Sequence, residues 1–210
     1  MKNFFKVIMG ILMAFFLIGC SVEEIKELSP IHIPTAEEKI SEMLLELENF
    51  TATAVVSYIS NKNINQYEIS QVATITGSYR IEVITPEKLA GNITLSNGTY
   101  IYQLNKRLGV TNSLNTSENR ERTVLLLTNF IPYISSSATI TSEDSTTIIH
   151  AYISGDNPYL HSQRLTIQND NLTPISLITY DINDNARIIV EYIEFFYNVS
   201  VDDALFSAPN

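Results

Sequence analysis

The chain has 210 residues, 45% of them hydrophobic and 17% charged, with 13 Lys and Arg against 23 Asp and Glu, a formal net charge of −10 and one cysteine. That length allows one domain with a sizeable core. The negative charge argues against nucleic acid as a partner, because neutralising phosphates needs a basic surface. A single cysteine excludes an internal disulfide, so packing must hold the fold.

The N-terminus reads as an export signal. Lys2 and Lys6 supply a positive start, and Val7 to Ile18 form an uninterrupted apolar run of 12 residues. As a helix this run spans roughly 18 Å, short of the roughly 30 Å hydrocarbon core of a bilayer, so it fits the apolar region of a signal peptide rather than a membrane span. It closes with Leu17, Ile18, Gly19 and Cys20. This resembles the bacterial lipobox, which implies cleavage before Cys20 and a covalent diacylglycerol and acyl lipid on that residue; the alternative is an ordinary secretory signal with a chance cysteine. Residues 1–19 are expected to be the lipoprotein signal peptide, 20–34 a lipidated linker and 35–210 the folded domain. A protein with two or more acyl chains is stably anchored, here on the extracytoplasmic face of a membrane. Without the first 19 residues, 11 Lys and Arg face 23 Asp and Glu, a charge of −12; anchoring is expected from the lipid rather than from adhesion to anionic headgroups.

The linker is acidic at Glu23, Glu24 and Glu27 and is broken by Pro30 and Pro34, each disfavouring helix in the residue before it. Thr35 and Glu38 then form a T-x-x-E capping box, followed by an apolar stripe of Ile40, Met43, Leu44 and Leu47 at helical spacing. This predicts a helix packed on its own sheet. From Phe50 the period is two: Phe50, Ala52, Ala54, Val56 and Tyr58; Tyr67, Ile69, Ala73 and Ile75; Tyr79, Ile81 and Val83; Ile93 and Leu95, Asn97-Gly98, then Tyr100 and Tyr102. Asn-Gly between alternating runs is a strong hairpin signal because both turn positions are expected at positive φ, and the whole predicts an antiparallel meander. Residues 118–133, with Val124 to Leu127, Phe130 and a flanking Pro132, read as a short helical excursion. A second meander follows over 146–152, 160–168, 172–180 and 187–196, with tight turns at 168–171 and 181–185. Strands at this spacing with two helices predict one strongly curved antiparallel sheet in an α+β, mainly β, fold. The Asn-x-Ser/Thr triplets at Asn92 and Asn198 read as sheet composition rather than glycan sites.

The order Gly77 to Val83, Thr85-Pro86-Glu87, then Ile93 to Tyr102, with Pro174, Asp181 to Asn185, Arg187 to Phe196, Asn198 and Phe206 in the tail, resembles the lipoprotein-carrier superfamily typified by LolA and LolB. The resemblance covers roughly residues 35 to 208 and implies a half-open β-barrel of about eleven strands with helices lidding a concave apolar face. Among lipidated members, the chain most resembles the clostridial spore germination lipoproteins of the GerS type. That implies a non-enzymatic partner and activator of a cell-wall N-acetylmuramoyl-L-alanine amidase of the CwlD type, acting at the forespore membrane in the cortex modification that yields muramic-δ-lactam. The alternative within the resemblance is a lipid- or lipoprotein-binding receptor, whose exposed apolar loop has only a weak counterpart in Leu104 to Leu114.

No catalytic constellation emerges. The one thiol is expected to be acylated. His32, His150 and His161 form no H-x-x-x-H or H-E-x-x-H pair for a metal, and no G-x-S-x-G elbow is present. Asp181-Ile182-Asn183-Asp184-Asn185 opens like a calcium loop, yet Ala186 stands where Gly is required and Tyr192 where a bidentate Glu is required; it reads as a hairpin turn. Glu191 and Glu194, three apart on a strand, are expected on opposite faces. No catalytic or metal-binding residue and no cofactor other than the lipid is therefore expected. Tyr79, Tyr100, Tyr102, Tyr152, Tyr180, Tyr192 and Phe195 sit at strand positions, so the concave face is either a ligand cavity or a core filled by aromatics, and their size favours the core. The edges of an open sheet are templates for pairing, with the partner enzyme or with a second copy as a homodimer.

Overall fold

A computed structural model describes residues 34–115 and 124–207. The signal peptide, the lipobox residues Leu17, Ile18, Gly19 and Cys20, and His32 lie outside the described residues. The domain starts as its sequence predicts. Thr35 caps helix α1 (Ala36–Leu45): the Glu38 N–H donates to Thr35 Oγ1 at 3.2 Å and the Thr35 N–H donates to Glu38 Oε2 at 2.8 Å, closing the capping box. Ile40 and Leu44 on α1, and Leu47 just beyond it, are buried.

Eleven strands follow among the described residues: β1 (Asn49–Ile59), β2 (Ile64–Thr74), β3 (Ser78–Thr85), β4 (Ile93–Asn97), β5 (Tyr100–Asn105), β6 (Val110–Asn115), β7 (Thr139–Ser142), β8 (Thr146–Tyr152), β9 (Ser162–Gln168), β10 (Pro174–Tyr180) and β11 (Ala186–Tyr197). They form one antiparallel sheet in the order β6-β5-β4-β3-β2-β1-β11-β10-β9-β8-β7. Two meanders are thus joined where the first strand pairs with the last. The edge strands β6 and β7 do not pair, so the barrel is half open, and inner residues of both arms share one core with α1 and helix α2 (Leu127–Ser137). This is the half-open, helix-lidded architecture that the family resemblance implied.

Three expectations are corrected. Pro132 lies inside α2 rather than ending it; a proline here removes one backbone donor, and the buried Leu127 and Phe130 hold the helix on the sheet. Residues 104–114 are the end of β5 and most of β6, an edge hairpin rather than a loop. At the β4–β5 turn only Gly98 takes a positive φ, +89°, while the Asn97 side chain accepts from the N–H groups of Thr99 (3.0 Å) and Tyr100 (2.9 Å).

The central β1–β11 pair carries a bulge. Thr53 pairs with Glu194 and Ala54 with Tyr192, which leaves Ile193 unmatched. A bulge exchanges the faces that later residues occupy. Ile188, Val190 and Tyr192 point inward before it and Phe195 and Tyr197 after it, while Ile193, Glu194 and Phe196 are exposed. Phe195 then stacks on Phe50 with centroids 4.9 Å apart and planes 13° apart, and Tyr192 meets its edge at 5.1 Å.

Asn198 follows at φ +48°. Its Oδ1 accepts from the N–H groups of Glu48 (2.8 Å) and Asn49 (3.3 Å), and its Nδ2 donates to Glu46 O (3.1 Å). The end of the sheet's last strand is thereby tied to the end of α1. The chain then crosses the outer face to a 3-10 turn, Asp203–Phe206, packed on β3 and β4, with Phe206 buried.

Phe50 is fully buried at the β1–β11 seam. Phe50→Ala is expected to cost about 3–5 kcal/mol, measured by urea unfolding followed by circular dichroism; a loss under about 1 kcal/mol would show that the seam does not hold the two meanders together.

Candidate concave cleft and its lid

The inner face divides into a filled part and a cleft. Under α2 the space is packed: Phe130, Leu127, Ile149, Leu165, Ile167, Leu177 and Val190 are fully buried. Toward the open end of β1–β4 a cleft of about 450 Å³ remains, lined by Val56, Tyr58, Asn65, Tyr67, Ile69, Ile81, Val83, Thr94 and Leu125. Tyr58 and Tyr67 meet edge to face at its mouth, 5.9 Å between centroids. The lining is mainly apolar with polar groups at the rim, the usual character of a small-molecule site.

Leu125 belongs to the segment that leads into α2, and two buried glutamines hold that segment to the floor. From β9, Gln163 Nε2 donates to Val124 O at 2.8 Å and to Thr179 Oγ1 at 3.1 Å. From β2, on the other arm, Gln71 Nε2 donates to Leu125 O at 3.3 Å, while its Oε1 has no partner among the described residues. Both occupy positions where the strand alternation places an apolar residue, and each is 1% exposed. Sequence reasoning missed them. The signal was there: an amide at an inward position needs a partner, and no neighbouring residue on its own strand supplies one.

The aromatic residues singled out in the sequence separate into two faces. Tyr79, Tyr192 and Phe195 point into the core. Tyr100, Tyr102, Tyr152 and Tyr180 lie on the outer face: Ile101 is the inward residue of β5, Ala151 of β8 and Thr179 of β10. Burial pushes the Tyr192 phenol pKa well above its usual value.

His150 and His161 are also outside, each ring about 5.3–5.4 Å from that of Tyr152, beside Arg164 stacked on Tyr180. No group of three or more metal-ligating side chains occurs among the described residues. Glu191 and Glu194 are not on opposite faces. The bulge at Ile193 places both outward, opposite Val55 and Thr53, where both are exposed.

The Asp181 turn is a self-contained polar knot. Asp181 Oδ1 accepts from the N–H groups of Asn183 and Asn185, both at 2.9 Å, and Oδ2 accepts from Arg187 Nε at 2.7 Å. Burial raises the carboxyl pKa; the bonds from the Asn185 N–H, Arg187, the Asn185 amide and the Asn183 N–H outweigh it and hold the group at about 2. Its oxygens face the chain's own donors, as a hairpin turn requires and a calcium loop does not.

Over residues 2–206 the sequence matches the family described as "Sporulation protein YdcC-like". No curated protein matches it in sequence. Among solved structures, it is similar to an uncharacterized conserved protein from Thermus thermophilus, at 11% identity and a TM-score of 0.50 over 83% of this chain and 95% of that one. It is also similar to a chain from the complex of the CwlD amidase of Clostridioides difficile with the GerS lipoprotein, at 21% identity and a TM-score of 0.52 over 80% of this chain and 98% of that one. A LolA superfamily protein from Nitrosomonas europaea aligns at 12% identity and a TM-score of 0.45 over 84% of this chain and 99% of that one. At these identities the first two likenesses concern the fold.

The buried polar groups are open to direct test. Gln163→Leu strands the Val124 carbonyl and is expected to cost about 1–3 kcal/mol and to speed amide exchange at the start of α2. Gln71→Leu, which also deletes an unpartnered oxygen, is expected to cost less; the reverse order in urea unfolding would refute this division of labour. Asp181 has a depressed pKa in the folded state, so its contribution is present above its ordinary value of 3.8 and lost as pH falls toward about 2. Asp181→Asn is expected to flatten the fall in Tm over that window, and an unchanged slope would contradict the assignment.

Proposed function

Because this chain belongs to the YdcC-like sporulation protein family, we propose that it is a lipid-anchored, non-enzymatic binding protein that engages and activates a cell-wall N-acetylmuramoyl-L-alanine amidase of the CwlD type outside the forespore membrane. The observation that carries this reading is the open sheet. Its edge strands β6 and β7 each pair on one side only, with β5 and β8, and every residue of β7 is exposed, so the backbone donors and acceptors of the outer side can take a partner's strand. A filled inner face under α2 fits a protein that offers surfaces rather than a reaction chamber. The fold shared with a chain of the CwlD–GerS complex supports the choice of partner, and the Leu17 to Cys20 motif supports the anchor.

The cleft beside Leu125 favours a second reading, a lipid- or lipoprotein-binding carrier. It predicts lipid copurifying with the protein and uptake of a fluorescent fatty acid, displaced when Ile69 and Ile81 are enlarged to Phe.

The first reading is tested in the sporulating host. Deletion of the gene is expected to leave cortex peptidoglycan without muramic-δ-lactam. The full-length protein is expected to co-elute with the host's amidase while cleaving no cortex fragment itself, and Cys20→Ala to move it from the membrane to the soluble fraction. Wild-type lactam content in the deletion strain, or hydrolysis by the purified chain alone, would overturn it.

A further inference from the structure

The cations of this acidic protein are not spread evenly. Of the eight Lys and Arg among the described residues, Arg80 pairs with Glu82, Arg187 with Asp181, Arg164 stacks on Tyr180, and Lys39 lies on α1 among its glutamates. Lys62, Lys88, Lys106 and Arg107 all lie in the turns at one end of the β1–β6 arm: Lys62 between β1 and β2, Lys88 between β3 and β4, Lys106 and Arg107 between β5 and β6. None of these four is in an ion pair among the described residues. Lys88, Lys106 and Arg107 surround an open depression of about 470 Å³ with Glu87 and Ala90. Glu87 and, on β2, Glu68 lie in this region, and the neighbouring β10–β11 turn, bonded to the β1–β2 turn from Arg187 Nη1 to Asn61 Oδ1 at 3.0 Å, adds Asp184 beside the Asp181–Arg187 pair; the four cations still outnumber these three carboxylates, so the cluster keeps a net positive charge. The acidic residues Glu37, Glu38, Glu42 and Glu46 sit instead around α1 beside Ile140 of β7, the opposite edge of the sheet.

The same turns carry large apolar side chains pointing into solvent. Leu108 is 70% exposed and Ile64 is 67% exposed, and Val110 and Ile84 are exposed beside them. By strand spacing the β1–β2 and β5–β6 turns are about 19 Å apart along one margin of the sheet, so their tips present one surface.

The β5–β6 tip is also built to hold its shape. Asn105 Oδ1 accepts from the Leu108 N–H at 3.1 Å, Asn105 O accepts from the Gly109 N–H at 2.9 Å, and Asn92 Oδ1 accepts from the Lys106 N–H at 3.1 Å. Three of the turn's four backbone donors, those of Lys106, Leu108 and Gly109, are satisfied internally, which lowers the cost of leaving water. Gly91 lies under the Lys106 stem: a Cβ there would fall 2.4 Å from Lys106 Cδ.

We propose that this end of the β1–β6 arm is a membrane-docking surface: Lys62, Lys88, Lys106 and Arg107 engage the phosphates of an anionic bilayer while Leu108 and Ile64 enter the headgroup layer. Apolar tips ringed by cations match an interface that is negative at its surface and apolar beneath. The overall charge does not oppose this, because at physiological ionic strength charges beyond about 8 Å are screened and the acidic helix lies at the far edge. The inference rests on the anchoring part of the function proposed above. Residues 20–34, fully extended, reach about 50 Å, enough for the domain to turn this end toward the bilayer. Docked so, the mouth of the cleft at Tyr58 and Tyr67 opens toward the lipid.

The chain has no Trp, so L108W adds a single reporter. Full-length L108W protein, purified with its N-terminal modification, is reconstituted with vesicles of phosphatidylcholine alone or mixed with phosphatidylglycerol. With anionic vesicles the emission is expected to shift to shorter wavelength and to be quenched by brominated acyl chains, with neither effect on phosphatidylcholine. Each of K88Q, K106Q and R107Q in that background is expected to weaken the effect roughly fivefold, with unfolding midpoints unchanged. A protein that floats with the vesicles while its emission stays that of an aqueous indole overturns the docking surface and leaves the anchor standing. Equal shifts on both vesicle types overturn the role of the cations. Flotation with anionic vesicles that persists in C20A but is lost in the triple Gln variant supports the docking surface and overturns the anchor.

Discussion

The pairing of β1 with β11 is the constraint from which the rest of the architecture follows. Either meander by itself is a ribbon of local hairpins with one apolar face and nothing to cover it. Joined at their first and last strands, the two become one curved sheet whose arms bend around a common core. The seam costs much loop-closure entropy, since the paired segments lie more than a hundred residues apart; the burial of Phe50, Ala52, Ala54, Val190 and Phe195 offsets it. The bulge at Ile193 is part of this solution. It turns Phe195 and Tyr197 inward where strict alternation would have buried Glu194, and so supplies the ring that stacks on Phe50.

Once the two arms face each other, the inner space has to be divided between packing and cleft, and polar groups decide where the boundary falls. Val124 and Leu125 are held to opposite arms by Gln163 and Gln71, so the segment leading into α2 spans the concavity instead of leaving it. Behind this segment the core is dense; in front of it the cleft begins, with Leu125 as its inner wall. The two holds differ. Gln163 commits its amide to two short bonds, whereas Gln71 makes one longer bond and leaves an acceptor unsatisfied, which makes the β2 side the weaker attachment of the lid.

The resulting molecule carries its chemistry on surfaces. Reactive clusters of metal-ligating side chains are absent among the described residues, His150 and His161 lie on the outer face against Tyr152, and the strongly perturbed carboxylate of Asp181 is consumed by its own turn. What the fold displays is a pair of unpaired edges, a cleft opening at one end, and an acidic helix and a basic apolar tip at opposite margins of the sheet.

Much of this was legible in the residues alone. The capping box of α1, the strands of both meanders, the turns at Asn97-Gly98 and Asp181 to Asn185, and the curvature of one antiparallel sheet follow from local periodicity and turn chemistry, which act over a few residues; that the sheet is half open came from the family resemblance. The sequence by itself also determined the lack of catalytic motifs and the excess of negative charge. Only the tertiary structure decided which strands are central, that a bulge puts Glu191 and Glu194 on one face, that Tyr79 and Tyr192 are core while Tyr100 and Tyr152 are not, that Pro132 stays within a helix, and that Lys62, Lys88, Lys106 and Arg107 converge. The physical reason is the same in each case. Alternation says that one face of a strand is buried but not which strand lies beside it, and a single added residue inverts that alternation with no mark in composition or spacing.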